Sequence, residues 1–152
     1  MTRRYAAVVA FLAVAALPAL AKPNFSGDWK LNTSKSDFGQ MPAPNSMTAK
    51  IAHEDPSLKV TMKMSSDQGE MEMPAAYTTD SKESTNEMMG NPVKSTVTWD
   101  GDTLIIESKM KFGDNDVTMT DKWTMDSKTL TMTRTFKSAM GEGVQKLVFD
   151  KQ

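Results

Sequence analysis

A chain of 152 residues, 39% hydrophobic and 24% charged, has the composition of one globular domain and not of a collagenous or disordered protein. Its 18 Lys and Arg are scattered singly among 19 Asp and Glu, so the dense cationic face that nucleic-acid phosphates require is absent and no nucleic-acid partner is expected. With no Cys and a single His, His53, the chain lacks the means for disulfides, thiolate metal sites, a cysteine nucleophile, a His-pair metal centre or a His relay.

Residues 1–21 read as an export signal. Arg3 and Arg4 precede the apolar run Ala6–Leu17, and Ala19-Leu20-Ala21 forms a small-x-small cleavage site, so the working chain is expected to be a single domain over 22–152. The run is too short to span a bilayer, no later segment is apolar enough to do so, and no Cys follows to carry a lipid anchor. Ala6 and Ala7 stand where a twin-arginine signal wants a bulky apolar pair, which favours ordinary secretion to the periplasm or the exterior. Cleavage removes two of the three arginines and leaves Arg134 alone.

From Phe25 onward, apolar residues recur at every second position with Thr, Lys and Ser between them, the pattern of half-buried antiparallel strands. Strands are predicted at 25–32, 46–53, 58–65, 70–78, 93–99, 102–112, 116–125, 129–136 and 143–150. Turn sequences such as Asp55-Pro56-Ser57, Asp100-Gly101 and Gly113-Asp114-Asn115-Asp116 separate them. The fold class is therefore all-β, an up-and-down antiparallel meander of about 8–10 strands, long enough to close into a barrel and remove its own edges. Segments 33–45, with Pro42 and Pro44, and 79–92, with Gly90 and Pro92, break the pattern and are expected to be loops over a barrel mouth.

Turn lengths set the register. A two-residue turn at 100–101 pairs Val97 with Leu104 and Ser95 with Ile106, and a four-residue turn at 113–116 pairs Met110 with Met119 and Ser108 with Asp121. Turns at 54–57 and 65–70 pair Met47 with Met64, Ala49 with Met62, Met64 with Met71 and Met62 with Met73. A turn at 126–129 pairs Trp123 with Met132 and Asp121 with Arg134, and one at 137–142 sets Gln145 opposite Arg134. An inward polar row Ser108-Asp121-Arg134-Gln145 is the result.

Phe25-Ser26-Gly27-Asp28-Trp29-Lys30-Leu31 resembles the G-x-W opening of the calycins, the lipocalins and intracellular fatty-acid-binding proteins. The run Lys94–Leu104 is similar to the later strands of fatty-acid-binding proteins. The whole chain resembles still more a group of exported bacterial lipocalin-like proteins of no established activity. They share an N-F-S-G-x-W-K-L-N opening, a K-S-D-F-G segment, here Lys35 to Gly39, and a closing Q-K-L-V-F, here Gln145 to Phe149. The resemblance implies a calycin-like barrel in which Trp29, after Gly27, closes one end. It does not carry over ligand chemistry: Gly39, Pro42 and Pro44 break the helical lid of fatty-acid-binding proteins, and their last-strand R-x-Y carboxylate clamp falls on Leu147 and Phe149.

Three constellations bear on function. Fourteen methionines, Met62, Met64, Met71 and Met73 in close sets, invite a Cu(I) reading through soft thioethers, but the absence of neighbouring His or Cys favours Met as filler of an apolar pocket, and no metal is expected. Asp100, Asp102, Asp114, Asp116 and Asp126 belong to turns, since no twelve-residue calcium loop is present. No G-x-S-x-G elbow, paired acidic motif or Gly-rich phosphate loop appears, so an enzyme is not expected. Arg134 has two open roles, a structural pair with Asp121 or an anchor for an anionic head group.

The functional expectation is a cofactor-free, exported, monomeric barrel that binds a small hydrophobic or anionic amphiphilic ligand through Arg134, Asp121, Ser108, Trp123, Met62, Met64, Met73, Met119 and Met132, with Gly27 and Trp29 structural. Its rivals are a structural or interaction domain with a side-chain-filled interior and a Met-rich Cu(I)-binding protein.

Overall fold

The computed structural model describes residues 22–152, so the expected export segment 1–21 lies outside the described residues. Ten antiparallel strands follow one another: β1 (Gly27–Leu31), β2 (Ser46–Glu54), β3 (Ser57–Ser66), β4 (Gly69–Thr78), β5 (Ser84–Met88), β6 (Asn91–Asp100), β7 (Thr103–Phe112), β8 (Asn115–Asp126), β9 (Thr129–Ser138) and β10 (Gly141–Lys151). Hydrogen bonding runs β4-β3-β2-β1-β10-β9-β8-β7-β6-β5, a meander whose first and last strands pair through β1 and β10. The fold is thus the all-β, nearly closed antiparallel barrel that the alternation implies.

The strands form because each supplies a period-two apolar face. On β2 and β3, Met47, Ala49, Ile51 and His53 are buried on one side and Leu58, Val60 and Met62 meet them, while Thr48, Lys50, Lys59 and Lys63 stay exposed. Phe25, Trp29, Leu58, Leu104, Leu130 and Phe149 fill one end of the barrel. Trp29 is 1% exposed, donates its indole N–H to the Phe25 carbonyl at 2.9 Å and carries the Lys151 ammonium 5.6 Å above its ring. Gly27 at φ 143° lets the chain pass beneath Lys151, whose side chain lies 3.0 Å from where a Cβ would stand.

Register agrees with expectation at four of the six turns. Met47↔Met64, Ala49↔Met62, Met64↔Met71, Met62↔Met73, Asp121↔Arg134, Trp123↔Met132 and Gln145↔Arg134 are all direct partners. At the other two turns the pairing is shifted by two residues: Val97 meets Ile106, Ser95 meets Ser108, Ser108 meets Met119 and Ile106 meets Asp121. In both, glycine takes the first position of a two-residue turn, Gly101-Asp102 and Gly113-Asp114, with φ of 59° and 62°. A shift of two keeps every side chain on its face.

Two expected loops contain structure. Residues 33–45 begin with a 3-10 turn at Thr33–Lys35 and then run beside β10, Asp37 bridging Lys146 and Ser36 Oγ accepting from the Val148 N–H at 2.9 Å. Residues 79–92 hold β5, paired with β6 through the turn Met89-Gly90. β5 escapes sequence reading because two of its three inward residues, Ser84 and Asn86, are polar and only Met88 is apolar. The two polar ones serve the seam with β4: the Asn86 carboxamide accepts from the Ala76 N–H at 2.9 Å and donates to the Ala76 carbonyl at 3.0 Å, and Ser84 Oγ accepts from the Thr78 N–H at 3.2 Å. A side-chain amide thereby stands in for a missing rung of backbone ladder.

Candidate functional site

The end opposite Trp29 stays open. There a cavity of about 430 Å³ lies between the β9–β10 hairpin and the segment 38–41, lined by Phe38, Met41, Val117, Phe136, Met140 and Gly143 among others. Phe38 packs against the core, and Met140 at the hairpin tip is exposed. Gly143 pairs with Phe136, and a Cβ at Gly143 would stand 2.5 Å from the Phe136 ring, so the glycine is what allows the ring to lie flat on β10.

One inward step deeper on β9 and β10 are Arg134 and Gln145. Arg134 meets Asp121 in a two-point pair, Nε to Oδ1 at 2.7 Å and Nη2 to Oδ2 at 3.0 Å, with side-chain exposures of 23% and 11%. Burial works against the guanidinium charge, but the Asp121 carboxylate outweighs it and raises the Arg134 pKa above its ordinary value. Tyr77, on the inward side of β4, lies close enough to feel both charges; burial first, and then Asp121, push its phenol up to about 12, so its O–H remains a donor at any physiological pH.

Of the expected polar row, Asp121, Arg134 and Gln145 stand side by side, whereas Ser108 does not belong to it. The shifted β7–β8 turn sets Ser108 opposite Met119, and the shifted β6–β7 turn sets it opposite Ser95, with the two hydroxyls 2.7 Å apart and buried. Gln145 turns away from Arg134 and donates to the Phe38 carbonyl at 3.3 Å, tying the 33–45 segment across the mouth. Trp123 and Met132 are buried in the filled half as direct partners, Met62 is buried, and Met64, Met73 and Met119 are half-buried. The Trp123 indole N–H is the one buried side-chain polar atom without a partner among the described residues.

The methionines form two rows across β2, β3 and β4, Met47-Met64-Met71 and Ala49-Met62-Met73, with Met71 37% exposed at the outer edge. These rows make an apolar wall. The double variant Met64→Leu, Met71→Leu conserves volume and should cost less than about 1.5 kcal/mol in urea unfolding. Cu(I) titration under reducing conditions should leave its stability and that of the parent unchanged; one-to-one binding lost in the variant would make the wall a metal site.

His53, next to the end of β2, is 6% exposed. Its ring stacks on Phe25 and Trp99, Nδ1 accepts from the Phe25 N–H at 3.2 Å, and Nε2 faces Asp55 Oδ1 at 2.7 Å. Every ring nitrogen thus has a structural partner. The Tyr77 contribution to the interior was also missed, although the alternation Met71, Met73, Ala75, Tyr77 marks it as inward. Phe136 is inward as the alternation Leu130, Met132, Arg134, Phe136 implies, and it lines the mouth cavity.

No protein-family model and no curated protein matches the sequence. Solved structures do match in fold. A secretory abundant heat soluble protein from Ramazzottius varieornatus is 16% identical with a TM-score of 0.59, covering 84% of this chain and 95% of its own. Zebrafish ileal bile acid-binding protein, solved with cholic acid, is 15% identical with a TM-score of 0.58 over 84% and 98% of the two chains. The fatty-acid-binding protein of Manduca sexta is 17% identical, with a TM-score of 0.55 over 84% and 99%.

Proposed function

We propose that this protein is a non-enzymatic carrier, exported and monomeric, that holds a small apolar or amphiphilic molecule in its barrel. The observation that carries the reading is the cavity of about 430 Å³ at the open end, walled by Phe38, Met41, Val117 and Phe136. Likeness in fold to proteins that bind cholic acid and fatty acids supports it. Export is supported by the cationic start, apolar run and small-x-small site within residues 1–21.

A second reading, a structural or interaction domain, draws on the packing of Phe25, Leu58, Leu104, Leu130 and Phe149, which leaves the Trp29 end solid. Native mass spectrometry of protein purified from its own host separates the two. The carrier should retain a co-purified mass, and fatty acids, sterols or pigments should raise its melting temperature; with neither effect the carrier reading falls and the filled domain stands.

A further inference from the structure

On the inward faces of the ten strands, among the described residues, there is one acid, Asp121, and one base, Arg134, apart from the His53 imidazole and the exposed Lys151 ammonium at the closed end. The two are bound to each other through both carboxylate oxygens. A free carboxylate entering from the open end therefore finds the countercharge at Arg134 already matched and a second carboxylate beside it, which is repulsive in a poorly solvated space. What the interior does offer is hydrogen-bond donors. The Tyr77 O–H keeps its proton, and the Nη1 edge of Arg134 lies outside the two-point contact with Asp121. Buried donors call for acceptors.

We infer that Asp121 is a specificity-determining residue that turns the barrel against anionic amphiphiles and toward uncharged ones bearing a hydroxyl or carbonyl oxygen. This inference rests on the carrier reading. It departs from the anionic-anchor role open to Arg134 on sequence alone, because a guanidinium saturated by Asp121 has its charge cancelled before a ligand arrives. Asp121→Asn should reverse the preference: the amide keeps the shape and an oxygen facing Nε, removes the like charge, and leaves Arg134 positive.

The test is displacement of a neutral fluorescent probe, N-phenyl-1-naphthylamine, from the full protein by decanol and by decanoate at neutral pH. The parent protein should bind decanol about tenfold or more tightly than decanoate, and Asp121→Asn should move the ratio by at least about tenfold toward decanoate. The parent's ratio requires no variant, so it stands even if the substitution harms folding. Equal or tighter binding of decanoate by the parent overturns the inference and leaves the carrier reading intact. An unchanged ratio in folded Asp121→Asn overturns the assignment to Asp121. If neither the probe nor either ligand binds the parent, the carrier reading fails and the inference fails with it.

Discussion

Trp29→Ala should destabilise the protein by about 3–5 kcal/mol in equilibrium urea unfolding, the range for deleting a buried large aromatic side chain. The magnitude belongs near the top of what single substitutions do, because several effects act together. The indole is 1% exposed and faces Ala49, a residue too small to move into the void. Its N–H leaves the Phe25 carbonyl, which is buried beside it and would lose its 2.9 Å partner. Lys151 loses the ring over which its ammonium sits. Collapse is obstructed by the strands themselves, since β1 is pinned on both sides, to β2 through Ala49 and to β10 through Lys151. A loss under about 1 kcal/mol would mean that the barrel end repacks freely, in conflict with the close packing of Phe25, Leu58 and Phe149 around it.

The period-two alternation made most of this fold readable from the chain, because inside and outside demand different side chains wherever one face of a sheet is buried. The Met rows followed from turn lengths alone, and so did the facing of Asp121, Arg134 and Gln145. The misreadings have local causes. The pairing of Ser108 with Asp121 supposes a four-residue turn at 113–116, whereas Gly113-Asp114 closes it in two; the β6–β7 pairing is shifted because Gly101 takes the first place of its turn and not the second. β5 stayed hidden because Ser84 and Asn86 serve hydrogen bonding at a seam and not burial, so no apolar period marks them. The mouth cavity depends on residues far apart in sequence: Phe38 and Met41 reach it only because Asp37 bridges Lys146 and Gln145 holds the Phe38 carbonyl. No local pattern announces a contact across more than a hundred residues. His53 is similar, for its burial is set by Phe25 and Trp99, which group with its ring in space though they lie far from it along the chain.

Arg134→Ala is expected to cost about 3–5 kcal/mol, while the double substitution of Leu at both 134 and 121 should cost little or nothing. The asymmetry is the diagnostic feature. Removing the guanidinium alone leaves the Asp121 carboxylate, with 11% side-chain exposure, between Ile106 and an empty position, and water cannot easily reach it. Removing both charges deletes the desolvation cost together with the attraction, and leucines there would continue the apolar faces of Trp123 and Met125 on β8 and of Leu130 and Met132 on β9. Arg134 is 23% exposed, so some relief by solvent places the single variant toward the lower end of the range. Urea unfolding of the parent, both single variants and the double variant closes a mutant cycle, and a coupling of more than about 1 kcal/mol is expected for groups in direct two-point contact. A coupling near zero would show that each side chain is solvated separately, and the cancelled interior charge would then no longer hold. If instead the double variant is as unstable as the single, the pair is required for its directed hydrogen bonds and not for its balance of charge. The β8–β9 register would then depend on Asp121 and Arg134 more than on the turn at Ser127-Lys128.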